Sequence, residues 1–126
     1  MILKLFKIFQ MLALACCFPT LGLAAVQDFI FENDSGFIIH SLYVSPHGEG
    51  NWLNDVLGEG VLENDHSTVI QWTKDQDYRY YDIRVVYSTA EGRQTNFDFT
   101  AGYDLLKISK IWITWDGKLL WLHYSR

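Results

Sequence analysis

Cysteine is missing from most of this 126-residue chain. The only two are Cys16 and Cys17. A thiol nucleophile, a disulfide or a zinc–thiolate cluster is therefore excluded from everything after residue 17. Basic residues are scarce as well. Ten Lys and Arg stand against fifteen Asp and Glu, a formal net charge of −5. Such a surface repels phosphate backbones and anionic lipid, so neither nucleic acid nor a membrane surface is an expected partner. There is no internal repeat, no low-complexity tract and no linker. Catalytic signatures are lacking too: Ser45-Pro46 has no Gly-x-Ser-x-Gly elbow around it. Neither an enzymatic activity nor a cofactor is expected.

What the chain does have begins at its start. Lys4 and Lys7 precede an uncharged apolar run, Ile8 to Phe18. Pro19 breaks that run, and Gly22-Leu23-Ala24-Ala25 offers small residues for a signal peptidase. This is the layout of a secretory leader. Residues 1–24 are expected to be a signal peptide and residues 25–126 a single domain, periplasmic or secreted. Two alternatives stand beside this reading. Leu12-Ala13-Leu14-Ala15-Cys16 loosely resembles a lipoprotein signal in which Cys16 carries the lipid, and an uncleaved anchor is marginal in length. Removing the leader takes away two lysines and no carboxylate. Eight basic and fifteen acidic residues remain, a net charge of −7.

The remainder alternates with a period of two. Phe29 and Phe31 alternate with Asp28, Ile30 and Glu32. Asn33-Asp34-Ser35-Gly36 reads as a turn, and Phe37 to Ser45 as a second strand, stopped by Pro46. These two strands are expected to form a hairpin. Ser67–Thr73, Tyr81–Tyr87 and Thr95–Phe99 alternate in the same way. Ala101–Leu106 reads as one helical turn. The chain closes with Ile108–Trp115, Asp116-Gly117 and Lys118–Tyr124, a strong hairpin signal. About seven short strands predict an all-β fold, an antiparallel β-sandwich. Between the strands, residues 46–60 form a long loop in which Asn51 is placed to cap a short helical turn around Trp52–Leu57.

Several residues in order carry a resemblance. Asn33-x-x-Gly36, Leu42-Tyr43-Val44-Ser45-Pro46, Trp52-x-x-Asp55-x-Leu57-Gly58 and Tyr81-Asp82-Ile83-Arg84-Val85 resemble a family of small exported bacterial β-domains. The resemblance spans roughly residues 27–106. It implies an exported β-sandwich and transfers no catalytic residue. The chain departs from the family's pattern at Asp34-Ser35 and at Asp104-Leu105-Leu106, where members often carry a cysteine.

Three constellations are candidates for contact. In the loop, Trp52 and Asp55 form either a binding lip or a plug in which Trp52 covers an open end of the sandwich and Asp55 bonds loop amides. Around it lie Glu49, Asp55, Glu59, Glu63 and Asp65. Calcium needs several converging oxygens, and their irregular spacing offers at most a ligand loop of Glu49, Asp55, Glu59 and Asp65. His47, Glu49 and His66 are a weaker zinc set. The last hairpin gives the sharpest expectation. A two-residue Asp116-Gly117 turn pairs Trp115 with Lys118, Ile113 with Leu120, Ile111 with Leu122 and Trp112 with Trp121. A cross-strand indole pair adds about 0.5–1.5 kcal/mol. With Leu119 it forms an exposed apolar patch of the kind that marks a contact site. The sequence thus points first to a module binding a protein through Trp112, Trp121, Leu119 and Trp52, possessing no resident metal. Its alternative is a calcium- or small-ligand-binding domain using residues 47–66.

Overall fold

The computed structural model of the protein describes residues 26–126, apart from residue 53 and residues 74–77. The expected leader, with both cysteines, lies outside the described residues. Seven strands run in order: β1 Val26–Asp34, β2 Ile39–Pro46, β3 His66–Thr73, β4 Tyr81–Ser88, β5 Gln94–Tyr103, β6 Lys110–Trp115 and β7 Leu120–Ser125. They form two sheets, one ordered β3-β1-β6-β7 and the other β2-β4-β5. The all-β sandwich is as expected from the alternation.

Each strand turns one face inward. Phe29, Phe31, Ile70, Ile111 and Ile113 of the first sheet meet Ile39, Leu42, Tyr81, Ile83 and Val85 of the second, all at most 2 % exposed. Each such side chain contributes about 1.5–3 kcal/mol by leaving water. Leu62, Leu105 and Ile108 close the core from the connections.

Three expectations are corrected. First, β1 and β2 are not a hairpin. β1 pairs with β3 and β6, and β2 pairs with β4. Both strands carry one apolar face, and placing them in opposite sheets lets those faces pack against each other. The corner between them is held by Asn33, which is fully buried. Its Nδ2 donates to the carbonyls of Phe37 at 2.7 Å and Leu62 at 2.9 Å, and its Oδ1 accepts from Ser35 N at 3.0 Å and Ser35 Oγ at 2.6 Å. Second, the sheets are not wholly antiparallel: β1 and β6 run parallel, with Phe31 opposite Ile111 and Asn33 opposite Ile113. Third, no helical turn forms among the described residues of the loop or at Ala101–Leu106. Asp55 instead bridges to Tyr43 of β2, and β5 runs on to Tyr103 before Asp104 turns the chain.

The long loop returns along the outer edge of β2. Ile39 and Leu62 exchange backbone bonds at 3.0 and 2.8 Å, and Val56 N donates to Leu42 O at 2.8 Å. An edge strand offers unpaired amides and carbonyls, and the loop covers those of β2. On the opposite side of the sandwich β5 and β7 lie at the edges, and among the described residues no strand pairs their outer sides.

Candidate functional site

The turn that begins β7 is built by one side chain. Asp116 Oδ1 accepts from the amides of Lys118 and Leu119, both at 2.8 Å, while Asp116 N donates to Leu119 O at 3.2 Å. Gly117 takes the positive φ, 98°, that closes this turn. The connection is therefore four residues, not two. Trp115 pairs with Leu120, Thr114 with Trp121, Ile113 with Leu122 and Trp112 with His123. The expected Trp112–Trp121 pair is thus not made. The register moves by two residues, an even step, so Leu120 stays on the core face, 3 % exposed, and Trp121 on the outer face.

Trp112 and Trp121 have different surroundings. The Trp112 ring stacks on the His123 imidazole, with centroids 5.4 Å apart and planes 15° apart. Lys110 Nζ stands 5.5 Å from that ring and 3.0 Å from Glu32 Oε1. His123 Nε2 and Thr114 Oγ1 are 2.8 Å apart. Trp112 is consequently half-buried within a polar outer face. On the same face, Glu32 is held below the usual carboxylate range, first by its hydrogen bond with Asp34 and then by Lys110. Asp34 is pushed up by the same carboxylate contact and by burial.

Trp121 is 51 % exposed and Leu119 49 %. The indole is nevertheless fixed, because its Nε1 donates to Asp116 Oδ2 at 2.7 Å. The Asp116 carboxyl is held below its ordinary range, first by the Leu119 amide, then by the Trp121 indole and the Lys118 amide. Trp121 and Leu119 border a cleft of about 500 Å³ between the free edges of β5 and β7, with Phe97, Phe99, Leu120 and Leu122 among its walls.

The backbone of β7 completes this surface. Residues in an antiparallel ladder alternate in the side to which they direct both N–H and C=O. Leu119 accepts from Asp116, and Ser125 accepts from Ser109. Leu119, Trp121, His123 and Ser125 therefore face β6, while Leu120, Leu122 and Tyr124 direct their N–H and C=O outward. The β7 sequence, Leu-Trp-Leu-His-Tyr-Ser, contains no Lys, Asp, Glu or Pro to discourage pairing. The β5 edge is different. Its register slips between Tyr81 and Ile83, a bulge that bends the strand near Thr100–Gly102.

The 47–66 loop has another arrangement. Trp52 lies over the Arg84 guanidinium, 4.7 Å from ring centroid to Cζ, and Arg84 grips Asp98 of β5 with two bonds of 2.7 and 2.9 Å. Arg84 alternates with Ile83 and Val85, so this stack sits on the outer face of the second sheet. Trp52 covers that face, not an open end. Asp55 Oδ1 accepts from the amides of Leu42 and Leu57, both at 3.0 Å, the bonding role expected of it. Glu49 Oε2 receives the Tyr78 hydroxyl at 3.4 Å. Glu59 and Asp65 are exposed, Asp65 with a φ of 66°. Among the described residues, no three His, Asp or Glu side chains gather in a way that holds a metal ion.

One polar pair was not legible beforehand. Asp82, 3 % exposed, accepts from the Gly48 amide at 2.9 Å and lies 2.8 Å from His47 Nδ1. His47 N also donates to Tyr80 O at 2.9 Å. The imidazole rests against Gly102, where an added Cβ would stand 3.2 Å from the ring. The pair ties the start of the loop to β4 and packs it on the β5 bulge. Alternation marks Asp82 as outward-facing, but nothing local in the sequence joins it to a residue thirty-five positions away. The chain as a whole matches no protein-family model, no curated protein and no solved structure.

Proposed function

We propose that this protein is an exported, non-enzymatic binding module that engages a protein partner along β7. The observation that carries the reading is the outer edge of β7, unpaired among the described residues, with exposed Trp121 and Leu119 beside an apolar cleft. An extended partner segment would take up the outward N–H and C=O groups of Leu120, Leu122 and Tyr124. Its alternate side chains would enter the cleft, which is the mode of strand addition. Aromatic anchors dominate such contacts, and the Asp116 bond holds Trp121 ready at little entropic cost. Among the described residues the only charged one lining the cleft is Asp98, already bonded to Arg84, and the acidic balance of the chain favours a partner segment with basic flanks. A small acidic inhibitor or immunity protein acting on an exported effector is a specific version of this function.

Site-specific photo-crosslinking tests the reading. Benzoylphenylalanine in place of Leu119 is expected to capture a protein in the host envelope. The same probe at Val69, exposed on the opposite edge strand β3, is expected not to. Trp121→Ala, which leaves the core untouched, is expected to abolish the Leu119 crosslink. Equal capture from both positions, or a crosslink that survives Trp121→Ala, would sink the proposal.

A further inference from the structure

A second concavity lies where the β1–β2 corner meets the β4–β5 turn and the end of β6. Its walls are three aromatic rings, Phe37, Tyr87 and Trp115, with Gly36, Ala90 and Glu91 around them, bordering a shallow, open hollow of about 570 Å³. That volume falls within the range of small-ligand sites. The rings do not form a parallel stack. Phe37 meets Trp115 edge-on, with centroids 5.2 Å apart and planes at 78°, and meets Tyr87 at 5.4 Å and 43°. Phe37 thus touches both neighbours, and the hollow is bordered by the ring surface that these contacts leave open. Trp115 is 37 % exposed, so part of its indole faces solvent.

The charge around this hollow has one sign. Among the described residues, Glu91 is the only charged one lining it, and no Lys, Arg or His does so. Aromatic faces carry a negative quadrupole that attracts cations, most strongly at Trp. A carboxylate at the rim adds to that attraction, and the chain's net charge of −5 reinforces it. A neutral apolar ligand would gain burial here but nothing from Glu91. An anion would be repelled by both the rings and the carboxylate. We infer that the Phe37–Tyr87–Trp115 hollow binds a small organic cation of the alkylammonium class, with the open surface of the rings against its charged head and Glu91 as its counter-ion. This site is separate from the β7 edge: neither the outward N–H groups of β7 nor Trp121 takes part.

The probes are choline and 3,3-dimethylbutan-1-ol, its neutral carbon isostere. The full domain labelled with ¹⁵N is titrated with each, following the Trp115 indole N–H. Choline is expected to shift that resonance with millimolar affinity, and the neutral isostere to bind at least about fivefold more weakly. Glu91→Gln, on an exposed turn, is expected to weaken choline about threefold or more. Trp115→Ala, read through the backbone amides of Gly36 and Glu91, is expected to remove binding while Trp121 and its edge keep their spectra. An equal response to both probes, no shift of the Trp115 indole at about 50 mM choline, or unchanged affinity in Glu91→Gln would overturn the inference.

Discussion

Asn33→Ala should be among the most damaging polar substitutions in this protein. The side chain is fully buried and makes four hydrogen bonds, two from its amide nitrogen and two to its oxygen. Truncation does not cost all four equally. Leu62 O keeps Ile39 N as a donor at 3.0 Å, and Ser35 Oγ lies 3.5 Å from Phe37 O and can turn to it. Ser35 N, by contrast, loses its acceptor. The three bonds whose partners keep or regain another contact cost about 0.5 kcal/mol each, and the buried Ser35 amide, left unsatisfied, costs about 2 kcal/mol, a loss of about 3–4 kcal/mol. That is a large share of the roughly 5–15 kcal/mol that holds a domain folded. Urea unfolding followed by tryptophan fluorescence measures it as a lower midpoint at constant slope. Asn33→Asp supplies a second, independent check. It keeps the oxygen that Ser35 uses but turns a carboxylate toward two carbonyl oxygens. Its folded-state pKa is thereby raised, so its stability is greatest below the ordinary carboxylate range and falls as pH rises through the folded value. A loss below about 1 kcal/mol in Asn33→Ala, or a pH-independent Asn33→Asp, would refute the idea that this side chain holds the corner.

Two further substitutions and one titration probe other joints. Gly102→Ala should destabilise by about 1–2 kcal/mol, because the residue sits at a φ of 82° and the new Cβ meets the His47 ring; thermal unfolding and the His47 resonances report it together. Arg84→Lys should cost about 1 kcal/mol and loosen Trp52, since an ammonium cannot make both bonds to Asp98 or lie flat beneath the indole; the check is a double-mutant cycle with Trp52→Ala. Asp116 has a lowered folded-state pKa, so its stabilisation of the β6–β7 turn is present above the ordinary carboxylate range and lost as pH falls through the lowered value. The Trp121 indole N–H, bonded to that carboxyl, should titrate in step with it by NMR.

The alternation of Tyr81, Ile83 and Val85 against Asp82 and Arg84 was enough to place β4 and its buried face, because a half-buried strand has a period of two wherever it lies. Pairing was harder to read. β1 and β2 look like a hairpin because they are adjacent and separated by turn residues, yet Asn33 spends its side chain on Leu62 and Phe37 and sends the chain across the core. The parallel pairing of β1 with β6 joins residues about eighty positions apart, beyond the reach of any local signal. At the last hairpin the faces of Ile111, Ile113 and Leu120 were legible. The partner of Trp112 was not, because the loop length depends on which amides the Asp116 carboxylate accepts. Exposed Trp121 and Leu119 were found from pattern alone. The cleft beside them and the aromatic hollow at Trp115 were not, since each is assembled from strands distant in the chain.

Amide hydrogen exchange along β7 tests the central claim most directly. In the free protein, the N–H groups of Leu120 and Leu122 should exchange quickly, while those of Trp121 and His123, directed at β6, exchange slowly. Addition of the protein captured through position 119 should slow Leu120, Leu122 and Tyr124 together. Protection of these three amides already in the free protein would contradict the account. So would a partner that leaves them unchanged and protects other amides instead.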